Sequence, residues 1–270
     1  MNFTRGISYI VGFGEESGHE DYFEPKRGFS MGHPLCDSYE TQDEFEALFS
    51  QSNVFPPSFG EDQKAGLNSI SQLLSSLSSS LLNQIGSSLL GEDALGWMEK
   101  DWGCLGEEKL CLLRLFHYHD ERNEATSRNE EEMKDLSNNK ISMGSANHTD
   151  WGLLTLVVAN GPGLQVYVDE EWVDVPWEEG TLIVNVGDYL SLLSNNQLVS
   201  PVHRVLPPPP SSSRTSFVHF QYPSFSSPFP PHTTSPSSSL SFNTFLSDWK
   251  EEDSFGSLLK RKWEGVDATN

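Results

Sequence analysis

The sequence predicts a mainly β protein with flanking helices, built around an antiparallel barrel or a double-sheet jelly roll. Three observations carry this expectation. From residue 110 onward the chain breaks into short aliphatic and aromatic runs, bounded by Gly, Asn, Asp and Pro, with no helical pattern between them. Upstream of those runs lies one long stretch of helical periodicity. Finally, His148, Asp150, His203, Arg214 and Ser216 fall at or near the ends of the β runs, where a jelly roll can converge separate strands.

Residues 1–40 are glycine-rich and weakly patterned and read as mostly irregular. Residues 41–50 (TQDEFEALFS) open with a Thr/Asp cap and suit a short helix. The clearest helix is amphipathic and spans 61–90. Leu67, Ile70, Leu73, Leu74, Leu77, Leu81, Ile85 and Leu89 recur there at three- and four-residue steps, with Ser, Asn and Gln between them. Such a stripe is expected to pack on a core, and Gly91 supplies a stop. Residues 1–100 are therefore expected to form an irregular and helical N-terminal region ahead of a jelly-roll domain over 105–223.

Within that domain the expected strands are 110–118, 153–159, 164–168, 172–175, 181–186, 189–193, 203–206 and 215–222. Asn160-Gly161-Pro162-Gly163, Glu179-Gly180, Gly187-Asp188 and Asn195-Asn196 punctuate them as turns. The acidic stretch 119–139 reads as a solvated insertion. Over 224–270 a Ser/Pro-rich loop is expected to lead into a last helix at 242–263, basic at its end as the helix dipole prefers.

At 270 residues the chain suffices for one large domain, or one domain with a helical appendage. A net charge of −22 leaves no basic surface for phosphates, so nucleic acid is not an expected partner, and it opposes docking on an anionic membrane. Cys36, Cys104 and Cys111 show neither paired nor metal-ligand spacing, which fits a reduced intracellular protein. The N-terminus lacks the basic flank and apolar core of a signal peptide, and no apolar run reaches membrane-spanning length. The expectation is a cytoplasmic monomer.

The chemistry lies in His148-Thr149-Asp150 and His203. In an extended strand residues 148 and 150 project to one face, so a short segment presents two ligands together. Two imidazoles and a carboxylate can cover one face of an octahedral metal and leave three positions open, as in non-haem Fe(II) oxygenases. On residue type alone, zinc and purely structural readings stay open. Arg214 and Ser216, two residues apart, also share a face and offer a guanidinium fork and a hydroxyl to a carboxylate. His117, His119 and His219 read as structural or solvent-facing. Trp151, Tyr189, Phe217 and Phe220 are candidates to line or support a pocket.

Three segments together, HTDWGLLTLV (148–157), GLQVYVDEEWVDVPWEEGTLIVNVGDYLSLLSNNQLVSPVHRV (163–205) and RTSFVHFQYPSF (214–225), resemble the plant-type, isopenicillin N synthase-like iron(II)/2-oxoglutarate-dependent oxygenases. The resemblance implies a double-stranded β-helix (jelly roll) core, in which His148, Asp150 and His203 bind Fe(II) and Arg214 and Ser216 hold the far carboxylate of 2-oxoglutarate. Tyr118 falls where a tyrosine often contacts that co-substrate. It implies O2 as the oxidant, ascorbate as an optional reductant, and no catalytic side chain beyond the metal centre. The implied reaction oxidises a small organic substrate while 2-oxoglutarate is decarboxylated to succinate and CO2.

The likeness thins outside these segments. Phe116 and His119 stand where the family has asparagine and proline, Asn53-Val54-Phe55-Pro56 is similar to a family Asn-x-Trp-Pro turn, and the usual N-terminal strand and helix are hard to find. Two alternatives stay open: an iron oxidase that does not use 2-oxoglutarate, and a non-catalytic member acting as a binding protein.

Overall fold

The computed structural model describes residues 22–24, 26–32, 53–90, 110–119, 141–228 and 254–268. In chain order these form β1 (Tyr22–Phe23), β2 (Lys26–Gly32), α1 (Glu61–Ile85) with a closing π turn (Gly86–Leu90), β3 (Leu110–His119), β4 (Ile141–Ser142) and β5 (Ser145–His148). There follow β6 (Leu154–Ala159), β7 (Leu164–Val168), β8 (Glu171–Asp174), β9 (Ile183–Val186), α2 (Asp188–Leu193), β10 (His203–Val205), β11 (Ser213–Tyr222) and α3 (Phe255–Ala268).

A five-stranded sheet runs β2-β3-β11-β6-β9, a four-stranded one β5-β10-β7-β8, and β1 pairs with β4 in parallel. Within the two larger sheets every pairing is antiparallel. This is the jelly-roll core.

The axis of the larger sheet is the β3–β11 pair, in unbroken register from Leu110↔Tyr222 to His119↔Ser213. Side chains alternate across it. One face carries Tyr118 opposite Arg214 and Phe116 opposite Ser216. There Phe116, Tyr118 and Val218 form a buried cluster with Val205 of β10, and Leu164 of β7 packs against it. Members from both sheets make this the interior of the roll. On the other face Leu113 and Leu156 join Leu67, Leu74 and Leu82 of α1 and Phe255, Leu258 and Leu259 of α3 in the larger core.

The helix α1 does not pack through its whole leucine stripe. Leu67, Leu74 and Leu82 are buried together with Ser71, Ser75 and Ser78, whereas Leu73 is 68% exposed and Leu77 37%. The leucines occupy more than one face of this helix, so periodicity alone does not say which face docks. The sheet accepts the serine-bearing face, where short side chains admit close approach. Ser75 Oγ lies 3.6 Å from Cys111 Sγ, and that thiol donates to Gln221 Oε1 at 3.1 Å.

Four expectations are corrected. YLSLL (189–193) is not a strand but most of α2, buried on every side. An all-round apolar run carries no period, so strand and helix cannot be told apart from it. The supposedly irregular first 40 residues contain β2, which pairs with β3 from Lys26↔Tyr118 to Gly32↔Leu112. Its two glycines and two cations hide the strand pattern, and the free edge of β3 supplies the pairing. No strand was expected over 141–148, yet β4 and β5 lie there and His148 ends β5.

The last helix, placed at 242–263, begins only at Phe255. Just after β11, Ser224 and Ser227 are buried, and the Ser227 and Phe225 carbonyls accept Phe255 N–H (2.8 Å) and Gly256 N–H (2.9 Å) at the start of α3. The expected helix at 41–50, residues 242–253 and the acidic insertion beyond His119 lie outside the described residues.

The Asn53-Val54-Phe55-Pro56 turn ties the helical region to the sheet. Asn53 accepts from Gly32 N–H at 2.8 Å and donates to Gly32 O at 3.0 Å, while Phe55 packs on Phe29, ring centroids 5.8 Å apart. Among the described residues no helix is long and apolar enough to cross a membrane.

Candidate metal centre

The antiparallel pairing of β5 with β10 sets His148 directly opposite His203. Their ring centroids lie 4.2 Å apart with the planes at 52°. Each Nδ1 sits on a backbone carbonyl two residues back, His148 on Ala146 O at 2.7 Å and His203 on Pro201 O at 3.1 Å. Nδ1 therefore carries the proton and donates, and the Nε2 lone pair is left for a metal.

Asp150, buried just beyond the end of β5, brings Oδ1 to 3.7 Å from His203 Nε2. Its other oxygen, Oδ2, accepts from Asn185 Nδ2 at 2.5 Å. The three side chains each offer one donor atom, all within 4.8 Å of one another. Two neutral nitrogens and one anionic oxygen on one side of a point suit a divalent transition metal.

The loop that bears Asp150 is locked from α2. Asp188 N–H donates to Asp150 O at 2.7 Å, and Thr149 Oγ1 donates to Asp188 Oδ2 at 2.9 Å. Gly187 is required at this junction, because a Cβ there would stand 2.2 Å from Gly152 O. The Asn185–Asp188 turn thus supplies both the bond to the carboxylate and the wall behind it.

Burial lowers the pKa of His148 from 6.5 to about 4. His203 and, more weakly, Lys26 push in the same direction, while Asp150 and the Ala146 carbonyl oppose them. The ring is neutral near pH 7, the state a metal needs.

Arg214 and Ser216 point into the roll from β11, with Tyr118 beside them on β3. Arg214 is 4% exposed; its Nε donates to Gly161 O at 3.2 Å, and the guanidinium carbon lies 5.3 Å from the centre of the Tyr118 ring. Burial pulls the Arg214 pKa below its ordinary value and Tyr118 opposes that shift. Ser216 Oγ is buried without a hydrogen-bond partner among the described residues. A buried cation next to an unsatisfied hydroxyl makes a receptor for a carboxylate.

The three expected metal ligands are thus brought together, and Arg214, Ser216 and Tyr118 form one group on the interior face. Among the described residues the other histidines stand apart: His117, bonded to Thr215 Oγ1 at 3.1 Å, His119, its ring 6.1 Å from that of His117, and His219, among the helix-side residues, lie on the opposite face of the sheet. Tyr189 is fully buried and donates to Pro228 O at 2.8 Å, while Trp151 and Phe217 pack against the helix-covered core. Of these four aromatics, Phe220 reaches the inner cluster.

Sequence reasoning missed Asn185, Asp188, Glu24 and Lys26. The first two stood inside the quoted NVGD turn, whose spacing from Asp150 only the fold converts into contact. Glu24 and Lys26 had no local signal.

A jelly roll that gathers two histidines and an aspartate at one point, with a buried arginine and serine on β11, has the donor set a non-haem metal site would use. The comparisons with known proteins agree. Residues 111–223 match the family model of the 2OG-Fe(II) oxygenase superfamily.

An Arabidopsis thaliana probable 2-oxoacid dependent dioxygenase is 43% identical over 88 residues, 32% of this chain and 24% of the relative. A chloroplastic 2-oxoglutarate-dependent dioxygenase of Oryza sativa subsp. japonica is 45% identical over 80 residues, again 24% of its length. The chain thus spans about a quarter of the curated relatives it matches.

Among solved structures, a Caulobacter crescentus 2OG-Fe(II) oxygenase family protein superposes with a TM-score of 0.62 at 20% identity, covering 97% of this chain and 74% of that one. A full-length Neurospora crassa protein in complex with alpha-KG gives 0.61 at 20% identity, covering 90% and 67%. These likenesses establish the fold.

Proposed function

We propose that the protein is an iron(II)- and 2-oxoglutarate-dependent oxygenase acting on a small organic substrate. One observation carries the reading: His148, Asp150 and His203 meet within 4.8 Å with their donor atoms free for a metal, inside a roll that also buries Arg214 and Ser216. Bound Fe(II) supplies activation of O2, coupled to decarboxylation of 2-oxoglutarate to succinate and CO2 and to oxidation of the substrate.

The protein's own contribution is placement. His148 and His203 offer Nε2 and Asp150 offers Oδ1, while Asn185 holds the second Asp150 oxygen in place. Arg214 takes the far carboxylate of 2-oxoglutarate through its guanidinium fork, Ser216 completes that contact with its hydroxyl, and Tyr118 packs along the guanidinium. Phe116, Val205 and Val218 keep water from the interior.

The net charge of −22 supports a protein that does not bind nucleic acid, and the buried thiol of Cys111, hydrogen-bonded to Gln221, fits a reducing compartment such as the cytoplasm. We take the working state to be a monomer, which sedimentation reads directly.

The test is to load purified protein anaerobically with Fe(II), add 2-oxoglutarate and record the visible spectrum, then admit O2 and measure succinate. A weak charge-transfer band is expected in the wild type and absent in His148→Ala and Arg214→Ala. Arg214→Lys should weaken it, since an ammonium cannot reproduce the planar fork. Iron bound without a band would favour the oxidase that dispenses with 2-oxoglutarate, and failure to bind iron would favour a binding protein.

A further inference from the structure

The start of the described chain reaches the metal centre from outside the matched family segment. Glu24 and Lys26 are 1% and 2% exposed and form an ion pair, Lys26 Nζ 2.8 Å from Glu24 Oε2. Such a pair is costly to bury and contributes little net stability, so its retention calls for another role. The second Glu24 oxygen, Oε1, accepts from Ala146 N–H at 2.5 Å, across 122 positions of sequence. The carbonyl of that same Ala146 accepts from His148 Nδ1 at 2.7 Å.

Three consecutive polar contacts therefore run from the Lys26 ammonium through Glu24 and Ala146 to the imidazole of His148. Lys26 also stands 5.1 Å over the Phe116 ring and opposite Tyr118, which puts the pair on the interior face of the sheet.

We propose that Glu24 and Lys26 are positioning residues for the His148 arm of the metal centre. Glu24 fixes Ala146 and through it the direction of His148 Nε2, and Lys26 balances the Glu24 charge. The inference rests on the metal-binding reading above and extends it to the N-terminal strand, whose docking on β3 becomes a condition of tight metal binding. Outer-shell groups that orient a ligating histidine characteristically control metal affinity in this way. Charge adds to the effect: neutralising Glu24 removes the carboxylate that faces Lys26 at 2.8 Å, close to a site for a dication.

The test uses the full chain, stripped of metal and titrated anaerobically with Co(II), whose visible d–d bands report ligand geometry. Apo-state thermal midpoints are recorded alongside. Glu24→Leu removes both the acceptor for Ala146 N–H and the charge. It should bind Co(II) about 10-fold more weakly or worse, with altered d–d bands. Glu24→Gln/Lys26→Met, which exchanges the ion pair for neutral groups of similar size, should recover part of that loss. The double variant also carries the test if the single one does not fold.

Wild-type affinity and spectrum in both variants, whatever their thermal midpoints, would reduce the pair to a structural feature and overturn the inference alone. Absence of Co(II) binding by the wild type, or undiminished binding by His148→Ala, would overturn the metal reading and the inference with it.

Discussion

His148 is held neutral by its surroundings, and that has a cost when protons are plentiful. An unfolded chain titrates the imidazole at its ordinary 6.5, the folded one at about 4. Between those values the unfolded state binds more protons. The stability this residue leaves intact above about pH 6.5 is therefore lost progressively as the pH falls toward 4. In metal-free protein, the urea midpoint should drop more between pH 7.5 and pH 5 for the wild type than for His148→Gln. Equal drops would show that the imidazole is not buried as described. The same residue scale explains why Asp150 can serve as a single-oxygen ligand: Asn185 occupies Oδ2, leaving Oδ1 to face His203.

At the scale of elements, strands were legible where their patterns alternate and are bounded by turns. The runs at 110–118, 164–168 and 215–222 all proved to be strands. Elements failed where the local pattern is silent. Tyr189–Leu193 is buried all round and so carries no period. Residues 26–32 have too few apolar side chains to announce a strand and take their conformation from the edge of β3.

For α1 the helix itself was legible, but its docked face was not. Leu82→Ala, at a fully buried position, should cost about 2–5 kcal/mol. Leu73→Ala, on the exposed side, should change stability by no more than about 0.5 kcal/mol. Urea denaturation of the two variants checks the orientation directly; the reverse ranking would mean that the helix is rotated on the sheet.

On the scale of the whole molecule, the candidate metal centre gathers segments remote in sequence: β5 with its following loop, the β9–α2 turn and β10, with Glu24 bonded to Ala146 behind them. Metal that binds only this folded arrangement must stabilise it, by roughly 2.7 kcal/mol at a hundredfold excess over the dissociation constant. The thermal midpoint of the wild type should therefore climb on adding Co(II) without oxygen. His203→Ala should keep the far-ultraviolet circular dichroism of the wild type yet show no such climb. A rise in that variant would remove His203 from the ligand set.

The metal and carboxylate residues could be nominated from the one-dimensional chain because their chemistry demands particular side chains. On residue type alone H-x-D with a distant H leaves zinc and structural readings open; the resemblance over 148–157, 163–205 and 214–225 narrows them, and alternating strands advertise their own direction. What surrounds them could not be nominated. Asn185, Asp188, Glu24 and Lys26 act through contacts made by chain segments far apart, as the 122 positions between Glu24 and Ala146 show. Side chains of their types occur throughout the sequence without such a role. Only the pairing of β2 with β3, and the packing of the Gly187 turn onto Gly152, bring these groups within hydrogen-bonding range. Ligand identity is a property of single residues, whereas ligand orientation is a property of strand register, and register is settled by the folded sheet.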